Sequence, residues 1–206
     1  RLNIKQSNHF GYTAFMCAVD NNHASTVELL YKYFPITLSL YLYHENIFHN
    51  NIIMLCIKNE NYSMLYRLYE LFDLHLHISN NPHQQFYNSI ITYAIYQKNI
   101  KMLCFLHQLF HHNINVNLVD LYGNTIFMNA VIVGDNNIIM LLYEFYSTQC
   151  IDINHKNIYG KTALHIAFEY NRSDIISTLY QLFPNSIDIN QSDYKGNSLL
   201  SQAAYN

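Results

Sequence analysis

Cys104, His107 and His111 recur at i, i+3 and i+7, a spacing that sets them on roughly one face of a helix, with His112 adjacent. A thiolate and neutral imidazoles so placed would suit zinc. Their register in the chain favours packing instead. His107 falls in a column otherwise held by Tyr31, Tyr69, Tyr143 and Tyr180, which marks it as an aromatic-sized spacer. His75 and His77 alternate along an extended arm and are read as facing solvent. The 14 acidic residues are spread over helices and arms, and none converge in sequence as a pair for acid–base work. A nucleophile elbow, a phosphate-binding glycine loop and an HExxH helix are all missing from the sequence. No enzyme activity, cofactor or metal is therefore expected.

The elements that carry these residues follow a period. Gly-x-Thr occurs at Gly11/Thr13, Gly123/Thr125 and Gly160/Thr162, and Gly196/Ser198 follows the same pattern. Seven residues after each Gly stands a small residue, Ala18, Ala130, Ala167 or Ala203, and sixteen further on Phe34, Tyr146 or Phe183. The same offsets locate two weaker copies, with His49 and Tyr87 in place of Gly, Cys56 and Ala94 at the small position, and Phe72 and Phe110 at the aromatic one. The small residues are spaced 36 to 38 positions apart. A fixed period of this length means a repeat array. The copies run over residues 8–45, 46–83, 84–119, 120–156, 157–192 and, in part, 193–206.

Within each copy an alternating apolar arm comes first, as in Leu74/Leu76/Ile78, Ile114/Val116/Leu118, Ile151/Ile153 and Ile187/Ile189. Such short period-2 runs suggest one side of a hairpin. Thr13, Thr125 and Thr162, with Asn51 and Ser89 in the weaker copies, are placed to cap a first helix of about two turns. A polar break such as Asn171-Arg172-Ser173 turns the chain. A second helix carries an i, i+3/i+4 stripe, for example Ile175, Ile176, Leu179 and Leu182. The stretch Ser79–Gln85 with its Pro82 is the expected irregular spot. One such unit cannot bury both helix faces, so neighbours must stack.

The best copy, Asn157-x-x-Gly160-x-Thr162-Ala163-Leu164-His165-Ile166-Ala167, resembles the ankyrin repeat signature, with Ala163 where that family usually has Pro. Ile151-Asp152-Ile153-Asn154 and Ile187-Asp188-Ile189-Asn190 are similar to its strand-entry segment. The likeness covers the whole chain and is weakest in the second and third copies. It implies an all-α solenoid of helix-turn-helix units with short hairpin arms. It also implies a structural role for His165, bonded to backbone near the turn. A purely helical solenoid of tetratricopeptide or HEAT type tolerates a similar period, but the Gly-x-Thr turn and the Asp-Ile-Asn arms favour ankyrin. The period exceeds the usual ~33, and the surplus, Leu182-Phe183-Pro184 in the clearest copy, predicts an outer helix about one turn longer.

Composition narrows the partners. A net charge of −3 with no clustered Lys/Arg run argues against nucleic acid and against a basic membrane patch. No apolar run reaches the roughly 18 residues of a membrane span. Four unpaired-looking cysteines suggest a reducing, intracellular and cytoplasmic setting. The chain opens and stops inside a repeat, which reads as a segment of a longer array. The 27 Asn are taken as base-composition bias.

What remains is a surface. Immediately before each turn position stand Phe10, Phe48, Phe86, Tyr122, Tyr159 and then Lys195, an aromatic ladder along the hairpin tips. The resemblance implies that partners meet these tips and the concave ends of the first helices. By register those ends are Asp20/Asn21, Lys58/Asn59, Tyr96/Gln97, Ile132/Val133 and Glu169/Tyr170. The expected function is a protein–protein interaction scaffold. The alternatives are a regulatory region of a larger enzyme or channel, or a structural subunit of a large assembly.

Overall fold

Among the described residues the same tight turn occurs five times, and an Asn or Asp side chain builds it. Asn8, Asn46, Asp120, Asn157 and Asp193 each accept, through Oδ1, the N–H groups two and four residues ahead at 2.8–3.0 Å. A short carboxamide or carboxylate does this because its oxygen sits where a backbone carbonyl would. The fourth turn residue takes a left-handed conformation, at Gly11, His49, Gly123, Gly160 and Gly196. The computed structural model describes residues 4–72 and 82–201.

Each turn leads into a capped helix. Thr13, Asn51, Thr125 and Thr162 accept the N–H three residues on, as their position in the sequence predicts. The inner helices are α1 (Ala14–Asp20), α4 (Ile52–Lys58), α8 (Ile126–Val133) and α10 (Ala163–Glu169). The outer ones are α2 (Ala24–Tyr33), α5 (Tyr62–Leu71), α7 (Ile100–Phe110), α9 (Asn136–Tyr146) and α11 (Ser173–Leu182). Between inner and outer helix the chain passes through one left-handed residue, Asn22, Glu60, Lys98, Gly134 or Asn171. The next N–H then bonds back to the small-residue column at Ala18, Cys56, Ala94 and Ala167, 2.8–3.2 Å. These small residues are fully buried, which lets the helices approach closely.

Packing divides the chain into two compact units, residues 1–86 and 87–206. In the first, α1 lies on α2 and α4, and α4 on α5. Phe72 closes its core against Phe15 (5.9 Å between ring centres) and Tyr31 (4.9 Å). In the second, α8 packs on α9 and α10, and α11 on both α9 and α10. Phe183 does there what Phe72 does in the first, edge-on to Phe127 and Tyr143.

Four expectations are corrected. The third copy has no turn: α6 (Pro82–Tyr96) runs without interruption through Phe86, Tyr87 and Ser89, so Ser89 caps nothing. Gln84 stands where the other copies have Asn or Asp, one methylene too long to close the turn. Pro82 does not break structure but opens the helix, its fixed φ and missing N–H suiting the first position. Residues 79–81 and the arm holding His75 and His77 lie outside the described residues.

The described apolar arms do not form paired strands either. Among the described residues only isolated bridges occur, Ser7 to Thr13 and Ser192 to Ser198. Ile114, Val116 and Ile153 simply turn into the core. Finally, α11 stops at Leu182, and Phe183–Ser186 turn the chain. Among the described residues the surplus is helical in the first copy, as α3 (Pro35–Tyr41), which Pro35 separates from α2, and in the third, where a single 3-10 turn (His111–Asn113) follows α7.

Candidate functional site

Consecutive turns are tied through backbone. The carbonyls of three tip aromatics accept an N–H of the next turn: Phe10 from Ile47 (3.1 Å), Tyr122 from Ile158 (3.1 Å) and Tyr159 from Tyr194 (3.2 Å). His44 and His155 reinforce this by donating from Nε2 to the Gly11 and Gly123 carbonyls, each at 3.0 Å. The glycines make room. A methyl on Gly11 or Gly123 would sit 3.0 Å from the backbone of the following turn. In the second turn His49 takes the left-handed position instead of Gly, with its side chain 89% exposed.

Because backbone does the tying, the aromatic side chains stand free. Phe10, Phe48, Tyr122 and Tyr159 are 56–60% exposed, and Phe10 stacks on Phe48 with ring centres 6.5 Å apart. Phe86 is the exception to the expected ladder. It lies inside α6, buried, with its ring edge-on to Tyr43 at 4.7 Å. The helix that replaces the third turn carries it inward.

The inner-helix ends form the second edge. In the first unit Asn59 Nδ2 donates to both the backbone and the carboxylate of Asp20, linking α4 to α1, while Asn21 Nδ2 returns to the Cys17 carbonyl. Lys58 is exposed. In the second unit Tyr96 donates its hydroxyl to Asn129 Oδ1, and Asn129 Nδ2 donates to Asp120 Oδ2, both at 3.1 Å. Burial, then the charges of Asp120, Tyr122 and Tyr170, push the Tyr96 phenol up. Gln97 is exposed, and Ile132 and Val133 are half-buried.

Turn edge and helix edge meet in the second unit around an open cleft of about 240 Å³. Tyr122, Ile132, Tyr159, Glu169 and Tyr170, all placed on this surface by register, line it together with Lys161. Lys161 Nζ reaches Glu169 Oε1 at 2.6 Å. The Arg172 guanidinium lies over the Tyr170 ring at 5.1 Å and caps the Val131 carbonyl at the end of α8. Sequence reasoning missed Lys161, Asn124, Asn157 and Ile166 in this lining. Lys161 was detectable: it follows the turn glycine and precedes Glu169 by eight residues, one inner helix away.

Two members of the zinc-like triplet are otherwise engaged. The His107 ring stacks on Phe145 at 3.9 Å and meets Tyr146 edge-on, as its place in an aromatic column predicts. His111 Nδ1 bonds the His107 carbonyl. Among the described residues no three His, Cys, Asp or Glu side chains are arranged to hold a metal ion. His165 is structural too. Its Nδ1 accepts the Thr162 N–H (3.3 Å) while Thr162 Oγ1 accepts the His165 N–H, a reciprocal cap. Burial holds its pKa below the ordinary value. No helix among the described residues is long and apolar enough to cross a membrane.

Among curated protein sequences no significant match is found. Among solved structures, the chain is similar to the ankyrin repeat domain of Bcl-3, described as a unique member of the IkappaB protein family. The two share 15% sequence identity at a TM-score of 0.67, over 98% of this chain and 82% of the other. That likeness shows the fold. The family model described as ankyrin repeats (3 copies) matches residues 91–193. Half the chain thus carries the signature outright, and the protein belongs to the ankyrin repeat family.

Proposed function

We propose that this chain is a protein-recognition scaffold whose working surface, in each unit, is formed by its turn tips and inner-helix ends. Ankyrin repeats are in general protein-interaction modules. The supporting observation is the cleft of the second unit, where three half-exposed tyrosines and Ile132 surround an opening on turns that are tied to one another by backbone hydrogen bonds. Exposed aromatic groups on a rigid frame lose little freedom on binding and supply much of the energy at interfaces. Phe10 and Phe48, with Asp20, Asn21, Lys58 and Asn59, form the equivalent surface of the first unit.

The test is affinity capture with the wild-type protein and with a Tyr122→Ser/Tyr159→Ser variant, each checked by thermal melting. A stoichiometric polypeptide retained by the wild type and lost by an equally stable variant supports the reading. Equal retention by both would move the interface elsewhere, with the outer helices next in line.

A further inference from the structure

Resting on that reading, we infer that the cleft of the second unit is a subsite for a cationic side chain, an arginine of the partner polypeptide. Three phenol rings, Tyr122, Tyr159 and Tyr170, border the same small opening as the Glu169 carboxylate. Aromatic faces carry negative potential, and a carboxylate beside them adds a full negative charge. Together they select a cation, and a weakly hydrated planar guanidinium above an ammonium.

The site already displays this preference twice with the chain's own residues. Lys161 Nζ sits on Glu169 Oε1, and the Arg172 guanidinium lies over the Tyr170 ring. Arg172 is fixed, because it also caps the Val131 carbonyl and packs against Gly134, where a methyl group would collide with it. Lys161 is not fixed in that way: Glu169 is its partner inside the cleft, and its side chain also lines the opening. It is a resident competitor, an internal cation occupying the carboxylate until a better one arrives. An incoming guanidinium would displace it, take Glu169 in a two-pronged bond and stack on Tyr159. The apolar walls, Ile132 and Ile166, would accept the methylenes of the arginine stem.

The competitor makes the inference testable with simple probes. Protein labelled on its tyrosine rings is titrated with a blocked Gly-Arg-Gly tripeptide, and ring shifts are followed by NMR. The controls are the citrulline tripeptide, equal in shape but uncharged, and the glutamate tripeptide. Shifts confined to the cleft tyrosines with the arginine peptide, and weak ones with citrulline, are expected. Glu169→Gln should abolish them. Lys161→Met should tighten binding by up to about fivefold, the worth of a released surface ion pair. Equal response to citrulline, preference for the glutamate peptide, or weaker binding by Lys161→Met would each overturn the inference. Preference for the glutamate peptide would make Lys161 an anion receptor. None of these outcomes touches the capture experiment, so the general surface can stand while this subsite falls.

Discussion

Replacing Gly160 by Ala adds one methyl group at a place where the next turn comes closest. The residue has φ +75°, and the new carbon would lie 2.5 Å from the Tyr194 amide nitrogen and 2.7 Å from the Tyr194 ring. Two costs follow. Holding a residue with a side chain in the left-handed region takes about 1 kcal/mol. Pushing Tyr194 away breaks its bond to the Tyr159 carbonyl, worth about another 1 kcal/mol, with some packing lost besides. Gly196 separates these terms, because it has φ +81° and nothing within 4 Å of the added carbon. Gly196→Ala should therefore cost only the conformational part. Urea unfolding should give a loss of roughly 2–3 kcal/mol for Gly160→Ala and about 1 kcal/mol for Gly196→Ala. Hydrogen exchange gives the local readout: Tyr194 amide protection should fall in the first variant and hold in the second. Losses equal within about 0.5 kcal/mol would refute the claim that these glycines exist for turn-to-turn approach.

Phe86→Ala should cost about 3 kcal/mol or more, since the ring is buried in α6, whereas Phe48→Ala should cost under about 1 kcal/mol; thermal melting of both variants would settle the order, and the reverse order would return Phe86 to the surface. Asn157→Ala removes the acceptor for the Tyr159 and Lys161 N–H groups and the donor to Asn124 Oδ1, so a loss of about 2–3 kcal/mol is expected in urea, against near neutrality for a solvent-facing Asn. Burial lowers the His165 and His107 pKa values below the ordinary 6.5, so the unfolded chain takes up protons that the folded one refuses. Stability is then full above about pH 6.5 and is lost on acidification. His165→Gln, which retains a side chain able to complete the Thr162 cap, should flatten the decline in unfolding free energy between roughly pH 7 and 5; an unchanged slope would remove His165 from the account.

The period, the caps and the turns were legible because each is set by a local rule that needs few residues. Gly-x-Thr places a left-handed residue two positions before a helix cap, and nothing tertiary has to be known. The third copy was misread for a related reason. The offsets from Ala94 were honoured, but the turn depends on the Asn or Asp three residues before the glycine position, and Gln84 cannot replace it. Weighing that one residue would have withdrawn Phe86 from the ladder. The arms were harder. Ile114, Val116 and Ile153 alternate as a strand would, yet side-chain amides replace the strand ladder: Asn117 bonds Cys150 and Asp152, and Asn154 bonds Ser186 and Asp188. The abundance of Asn, read from composition as bias, is thus in good part structural. The cleft was half legible, because register places Tyr122, Ile132, Tyr159, Glu169 and Tyr170 on one face but not the ion pair between Lys161 and Glu169.

The bond that runs from a tip carbonyl to the following turn has an evolutionary consequence. Main-chain atoms hold the stack together there, so the genetic identity of Leu121, Tyr122, Ile158 and Tyr159 is almost unconstrained by folding. Codons at those positions can drift at little cost to folding, so under the proposed function partner preference would be open to change one side chain at a time. The same property would make these four positions the first to randomise in a binder library built on this chain.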